Sequence, residues 1–152
     1  MRTLVLCLLL LAGAVAWAAT PDPFGNYDPM NGVSLVVHLR EATQESVWDS
    51  CVAADGSCCV VLGGGVPVEL PRDRIAPERL DKLMAEAAKL GFFSLPARPS
   101  GKFETRYLVT LQLVHGDQSN TVVGYPVTDP VVGRLRAEVS KLIPAPPVPD
   151  RG

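Results

Sequence analysis

Pro77-Glu78-Arg79-Leu80-Asp81-Lys82-Leu83-Met84-Ala85-Glu86-Ala87-Ala88-Lys89-Leu90-Gly91 decides the fold, because it carries a helix start, an apolar stripe and a stop in one run. Proline suits the first helical position: the missing N–H has no intrahelical acceptor there, and the fixed φ matches the first turn. Leu80, Leu83, Met84, Ala87 and Leu90 recur at three- and four-residue spacing, so they form one stripe that faces a core. Gly91 ends the helix. Ile75, just outside, is placed to pack on Leu80 as a hydrophobic staple, while Glu78 with Lys82 and Glu86 with Lys89 are placed as charge pairs on the solvated side. Phe92-Phe93-Ser94-Leu95-Pro96 follows at once and tucks the helix end into the core.

Working outward, Tyr107, Val109, Leu111 and Leu113 alternate with Leu108, Thr110, Gln112 and Val114, and His115-Gly116-Asp117-Gln118 turns the chain into Thr121–Tyr125. That is a two-stranded hairpin. Thr128 or Asp129 is placed to cap a last helix that begins with Pro130 and carries Val132, Leu135, Val139, Leu142 and Ile143 on one face. On the N-terminal side, Val33–Arg40 alternates as a half-buried strand. The cysteine segment then runs through Val60-Val61-Leu62 and Gly63-Gly64-Gly65 to a second strand at Val66–Leu70, which Pro67 places at a sheet edge. The order strands, helix, hairpin, helix gives an α+β domain: a mainly antiparallel sheet with two helices packed on one face. Val36, Leu108 and Val114 fall on the other face, which is either a partner surface or covered by the cysteine loop.

Residues 1–18 read as a cleavable secretory signal peptide. Met1-Arg2 is a basic start, Leu4–Val15 an apolar run too short to span a bilayer, and Ala16-Trp17-Ala18 a small-residue cleavage site before Ala19. Residues 19–32, rich in Pro, Asp, Asn and Gly, read as a linker, 33–143 as a single domain, and 144–152 as an extended Pro-rich tail. Removing 18 of 152 residues leaves 134, enough for one real core. The formal net charge of −2 becomes −3 when Arg2 leaves with the leader, so the chain has no electrostatic footprint for nucleic acid or an anionic membrane. A secreted or periplasmic protein, with no membrane attachment after cleavage, is expected.

Of four cysteines, Cys7 lies in the leader, which leaves Cys51, Cys58 and Cys59 for an oxidising compartment. If Asp55-Gly56 is a two-residue hairpin turn, Ala54 pairs with Ser57, Ala53 with Cys58 and Cys51 with Val60. Cys51 and Cys58 then share a face, which favours a Cys51–Cys58 disulfide with Cys59 buried over a strained bridge between adjacent Cys58 and Cys59. If Cys51 lies in a loop, Cys59 is equally reachable.

The residues point to no catalytic apparatus, cofactor or metal. Zinc would need two His one helical turn apart with a Glu, or paired CxxC units, and neither spacing occurs. His38 alternates onto the polar side of its strand and His115 sits at a turn, so both read as surface histidines. There is no Gly-x-Ser-x-Gly elbow and no Cys-His signature. Gly63-Gly64-Gly65 lacks a following Lys-Ser/Thr and reads as a turn rather than a phosphate loop, and nothing in the sequence makes Glu69 and Asp73 converge as an acid–base pair.

From Ile75 onward, Ala76-Pro77-Glu78-Arg79-Leu80-Asp81-Lys82-Leu83 leading to Gly91-Phe92-Phe93-Ser94-Leu95-Pro96, then Tyr107-Leu108-Val109-Thr110, a polar turn, a strand and a closing helix, resembles the emfourin family of small protein inhibitors of thermolysin-like metallopeptidases. The resemblance spans about residues 66–143 and rests on short, core-forming motifs. Where that family's N-terminal strand runs into a glycine-rich Arg-x-Gly-Gly segment, this chain has Leu39-Arg40-Glu41-Ala42, and its cysteine-bearing insert is foreign to the family. The resemblance implies a non-catalytic exported domain whose protein partner is a thermolysin-like metallopeptidase. The alternatives are a structural or accessory envelope domain that binds another protein, and a small enzyme whose ionisable groups converge in a cleft.

Overall fold

The structure is a computed structural model that describes residues 30, 32–44, 46–62, 68–69, 74–98, 107–125 and 129–143. The stretches expected to be leader (1–18), turn (Gly63–Gly65) and tail (144–152), most of the expected linker (19–32), Asp73 and Thr128 lie outside them. In chain order the elements are β1 (Leu35–Thr43), β2 (Val47–Ala53), β3 (Cys58–Leu62), β4 (Val68–Glu69), α1 (Pro77–Lys89), a short 3-10 turn (Phe92–Ser94), β5 (Tyr107–His115), β6 (Gln118–Gly124) and α2 (Pro130–Leu142). The fold is α+β, an antiparallel sheet with two helices.

The strands run in the order β4-β3-β2-β1-β5-β6, with every neighbouring pair antiparallel. Alternation divides the residues between two faces. Val37 and Leu39 of β1, Val52 of β2, Cys58 and Val60 of β3, Val109, Leu111 and Leu113 of β5 and Val122 of β6 join the apolar stripes of both helices in one core. There they meet Leu80, Leu83, Met84 and Ala87 of α1 and Val132, Leu135 and Val139 of α2. Ile75 and Phe92 are buried in the same core, and Phe93 packs against it. The opposite face carries a smaller cluster of Cys51, Cys59 and Val61, with Met30 and Leu35 against it. Met30, inside the stretch expected to be a linker, is thus packed on the domain.

Local chemistry explains the helix ends. Pro77 opens α1, and Gly91 follows it at φ +73°, a left-handed conformation that favours glycine. Asp129 caps α2 by accepting from the Val131 and Val132 amides, both at 3.0 Å, which satisfies two donors that have no intrahelical partner. β4 lies at the sheet edge. Glu86 finds its partner across the helix pair, with Arg134 Nη2 2.6 Å from its Oε1, instead of along α1 with Lys89.

The cysteine hairpin differs from the two-residue turn expected of Asp55-Gly56. Ala53 N donates to Ser57 O at 2.8 Å, so Ala54, Asp55 and Gly56 form a three-residue loop with Gly56 at φ +83°. Ile75 N donates to Gly56 O at 2.9 Å, and a Cβ on Gly56 would lie 2.4 Å from Ile75 O, so the hairpin tip is locked to the chain entering α1. One extra loop residue moves the register by one, and Cys51 stands opposite Cys59 and Val52 opposite Cys58. Cys58 therefore faces the helix-side core while Cys51 faces away from it. The expected Cys51–Cys58 juxtaposition does not occur.

Candidate functional site

At one end of the sheet's helix side, the register aligns Leu62, Trp48, Glu41 and Val109 across β3, β2, β1 and β5. α1 and α2 bury the middle of this face but leave the β2–β3 end open: Trp48 is 38% exposed and Leu62 42%. Beside them the carboxylate of Glu41 is buried, at 6% exposure. Its Oε2 accepts from Trp48 Nε1 at 2.7 Å, and its Oε1 accepts from Arg136 Nε at 2.8 Å and from the Tyr107 hydroxyl. A buried carboxylate needs such donors, because desolvation without partners is costly. The Arg136 guanidinium also lies 5.7 Å from the Tyr107 ring centroid, in cation–π range. Burial, and then the hydrogen bond to Glu41, pushes the Tyr107 hydroxyl well above the usual phenol range, so it stays a donor. This end thus combines an indole oriented by its hydrogen bond to Glu41, an exposed leucine opposite it, and Tyr107 and Arg136 bound to the same carboxylate.

The far face of the sheet holds a second polar group. His38 Nε2 donates to Asp49 Oδ1 at 2.8 Å, and Arg40 binds the same carboxylate through Nε at 2.8 Å and Nη2 at 3.3 Å. His38 is only 3% exposed, so it is a buried residue and not the surface histidine its position on the strand suggests; His115 is exposed. Burial raises the proton affinity of Asp49, but the hydrogen bonds from His38 and Arg40, with the Arg40 charge, outweigh it and hold the carboxyl below the usual carboxylate range. His38 stands opposite Cys51. The Cys51 thiol, however, is pushed far above the usual thiol range by its hydrogen bond with Cys59 and by burial, and a protonated thiol is a poor nucleophile.

A third feature is the groove between α1 and α2, about 490 Å³, where Arg79, Lys82, Arg134 and Lys141 meet Glu86 and Glu138. Its charges pair across and along the helices: Arg134 with Glu86 at 2.6 Å and Lys141 with Glu138 at 2.7 Å, while Arg79 Nη2 donates to Lys141 O at 3.0 Å. Among the described residues, no three His, Cys, Asp or Glu side chains gather as a metal site would need, and no helix is long and apolar enough to cross a membrane. The side chains of Glu69 and Asp73 lie outside the described residues.

Sequence reasoning missed the Glu41 network, because its partners are as much as 95 positions apart in the chain. One local signal was present: Glu41 occupies a helix-facing position in β1, in phase with Val37 and Leu39, where a charge demands partners. Compared with known protein families, the chain matches no family model, and it matches no curated protein.

Proposed function

We propose that this chain is an exported, non-catalytic interaction domain that binds another protein through the Trp48–Leu62 end of its sheet, thermolysin-like metallopeptidases being the first partner class to test. The carrying observation is the exposed Trp48–Leu62 pair, its indole held by the Glu41 carboxylate that Tyr107 and Arg136 also bind. Trp, Tyr and Arg dominate interface energetics because each buries a large area and keeps a polar handle. An anchor already held in position loses less freedom on binding. The non-catalytic reading is supported by the way buried ionisable groups are used: His38, Arg40 and Asp49 bind one another, and Glu41 is bound by three donors. The partner class comes from the emfourin-like resemblance, of which the order strands, helix, hairpin, helix is part. Export comes from the leader read at residues 1–18. The alternative of an accessory envelope domain draws on the same surface.

The test is titration of the chain starting at Ala19 against a thermolysin-like peptidase with a fluorogenic peptide substrate, with heat-unfolded protein as control. Stoichiometric inhibition by the folded protein alone is expected. Trp48→Ala should weaken it by about 30-fold, the effect of losing a hot spot worth about 2 kcal/mol. Binding that leaves peptidase activity intact selects the accessory reading, and no binding at micromolar concentration removes the peptidase as partner.

A further inference from the structure

We propose that Cys51 and Cys59 form a cross-strand disulfide that staples β2 to β3, while Cys58 remains a buried thiol in the main core. The two residues are directly opposed in an antiparallel pair. Such partners have Cα atoms about 4.5–5.5 Å apart, inside the roughly 4.4–6.8 Å that a disulfide spans. Both side chains occupy one small cluster on the same face, at 0% and 1% exposure, and the two sulfurs are already hydrogen-bonded neighbours. The other pairings fail on geometry. Cys58 points through the sheet into the helix-side core, on the opposite face from Cys51. A bridge between adjacent Cys58 and Cys59 would have to turn two oppositely directed side chains toward each other and break the β2–β3 ladder. Three cysteines are thereby accounted for as one pair and one packed thiol.

The reaction is a thiol–disulfide exchange. The S–H bonds of Cys51 and Cys59 break, one S–S bond forms, and two electrons and two protons pass to an acceptor disulfide, low-molecular-weight or protein, which becomes two thiols. The exchange has to occur while the hairpin is still open, since neither sulfur is accessible once folded. The bridge lies three residue pairs along the ladder from Trp48 and Leu62, so it fixes the hairpin that presents them. The proposal rests on the export reading for its oxidising compartment, and on the register alone for its pairing.

The test uses the full chain, reduced and unfolded, refolded in a glutathione redox buffer, alkylated under denaturing conditions and digested with trypsin. Cleavage after Arg40 and Arg72 places Cys51, Cys58 and Cys59 on one peptide, free of Cys7. The wild-type peptide should carry one alkyl group and be two hydrogens light. Cys58→Ala should carry none, whereas Cys51→Ala and Cys59→Ala should carry two. An unlabelled Cys59→Ala peptide would mean a Cys51–Cys58 bridge, an unlabelled Cys51→Ala peptide a vicinal one, and a triply labelled wild type no bridge; each overturns the pairing. If a variant does not fold, reduction of the alkylated wild-type peptide followed by fragmentation between residues 51 and 58 and between 58 and 59 locates the alkyl group. The same peptide from cells expressing the chain with its leader tests export separately: a bridge after refolding but three thiols from cells removes the export reading and leaves the pairing standing.

Discussion

Replacing Glu41 by Gln keeps the volume and removes the charge from the acceptor of three hydrogen bonds. A bond to a charged acceptor contributes about 1 kcal/mol more than its neutral counterpart, so Trp48 and Tyr107 together lose about 2 kcal/mol. The ion pair with Arg136 adds less than a fully buried pair would, because the Arg136 side chain is 35% exposed and solvent screens it; about 1 kcal/mol is a fair allowance. The expected loss is about 3 kcal/mol, or roughly 12 °C in Tm for a domain of this size. The assay is unusually direct, since the chain has two tryptophans and the other, Trp17, precedes Ala19. Emission from the protein starting at Ala19 therefore reports Trp48 alone. A double-mutant cycle with Tyr107→Phe should give a coupling above about 0.5 kcal/mol, as expected for groups sharing one network. A Tm change under about 2 °C for Glu41→Gln, with native circular dichroism, would refute the claim that this carboxylate ties β1, β2, β5 and α2 together.

Gly56→Ala should destabilise by more than about 2 kcal/mol in chemical denaturation, because the residue is left-handed at φ +83° and its Cβ would meet Ile75 O at 2.4 Å; a change under about 0.5 kcal/mol would show that the hairpin tip is free to move. For Asp49 the folded-state carboxyl is held below its ordinary value, so its stabilisation is complete above the unfolded value of about 4 and disappears as pH falls through the lower folded value. The wild-type Tm should consequently fall more steeply below about pH 4 than that of Asp49→Asn, and parallel curves would contradict the His38–Asp49–Arg40 arrangement.

The parts of the fold that were legible in the sequence are those fixed within one or two turns of chain. Pro77 and Gly91 bracket α1, Asp129 and Pro130 start α2, and Gly116-Asp117 joins β5 to β6, because caps and tight turns act over a few residues. β2 was visible only in part. Val47-Trp48-Asp49-Ser50 alternates poorly by polarity, since Ser50 sits on the helix side while Asp49, on the other, is buried by its own partners instead of being solvated. The burial of His38 was hidden for the same reason: a polar residue on a polar face reads as wet unless its acceptor, here 11 residues away, is known. Asn120 is a further case. Its amide donates to Phe92 O at 2.8 Å and Leu95 O at 2.9 Å, tying β6 to the turn after α1, and nothing near residue 120 announces it.

The register of the cysteine hairpin turns on one residue of loop length, and its consequences reach both faces of the sheet. A two-residue turn would set Trp48 against Gly63 and put Leu62 on the opposite face from it, leaving the indole without an apolar neighbour across the strand. The three-residue turn sets Trp48 against Leu62 on the helix side and Cys51 against Cys59 on the other. What selects the longer loop is the fit of Gly56 to its surroundings: its left-handed backbone closes the turn, Asp55 Oδ1 accepts from Ser57 N at 3.0 Å, and the Gly56 carbonyl receives the Ile75 amide just before α1. The helix that is easiest to read in the sequence thus anchors the turn that was hardest to read. Through that anchor, one backbone contact governs both the pairing of the cysteines and the composition of the exposed surface.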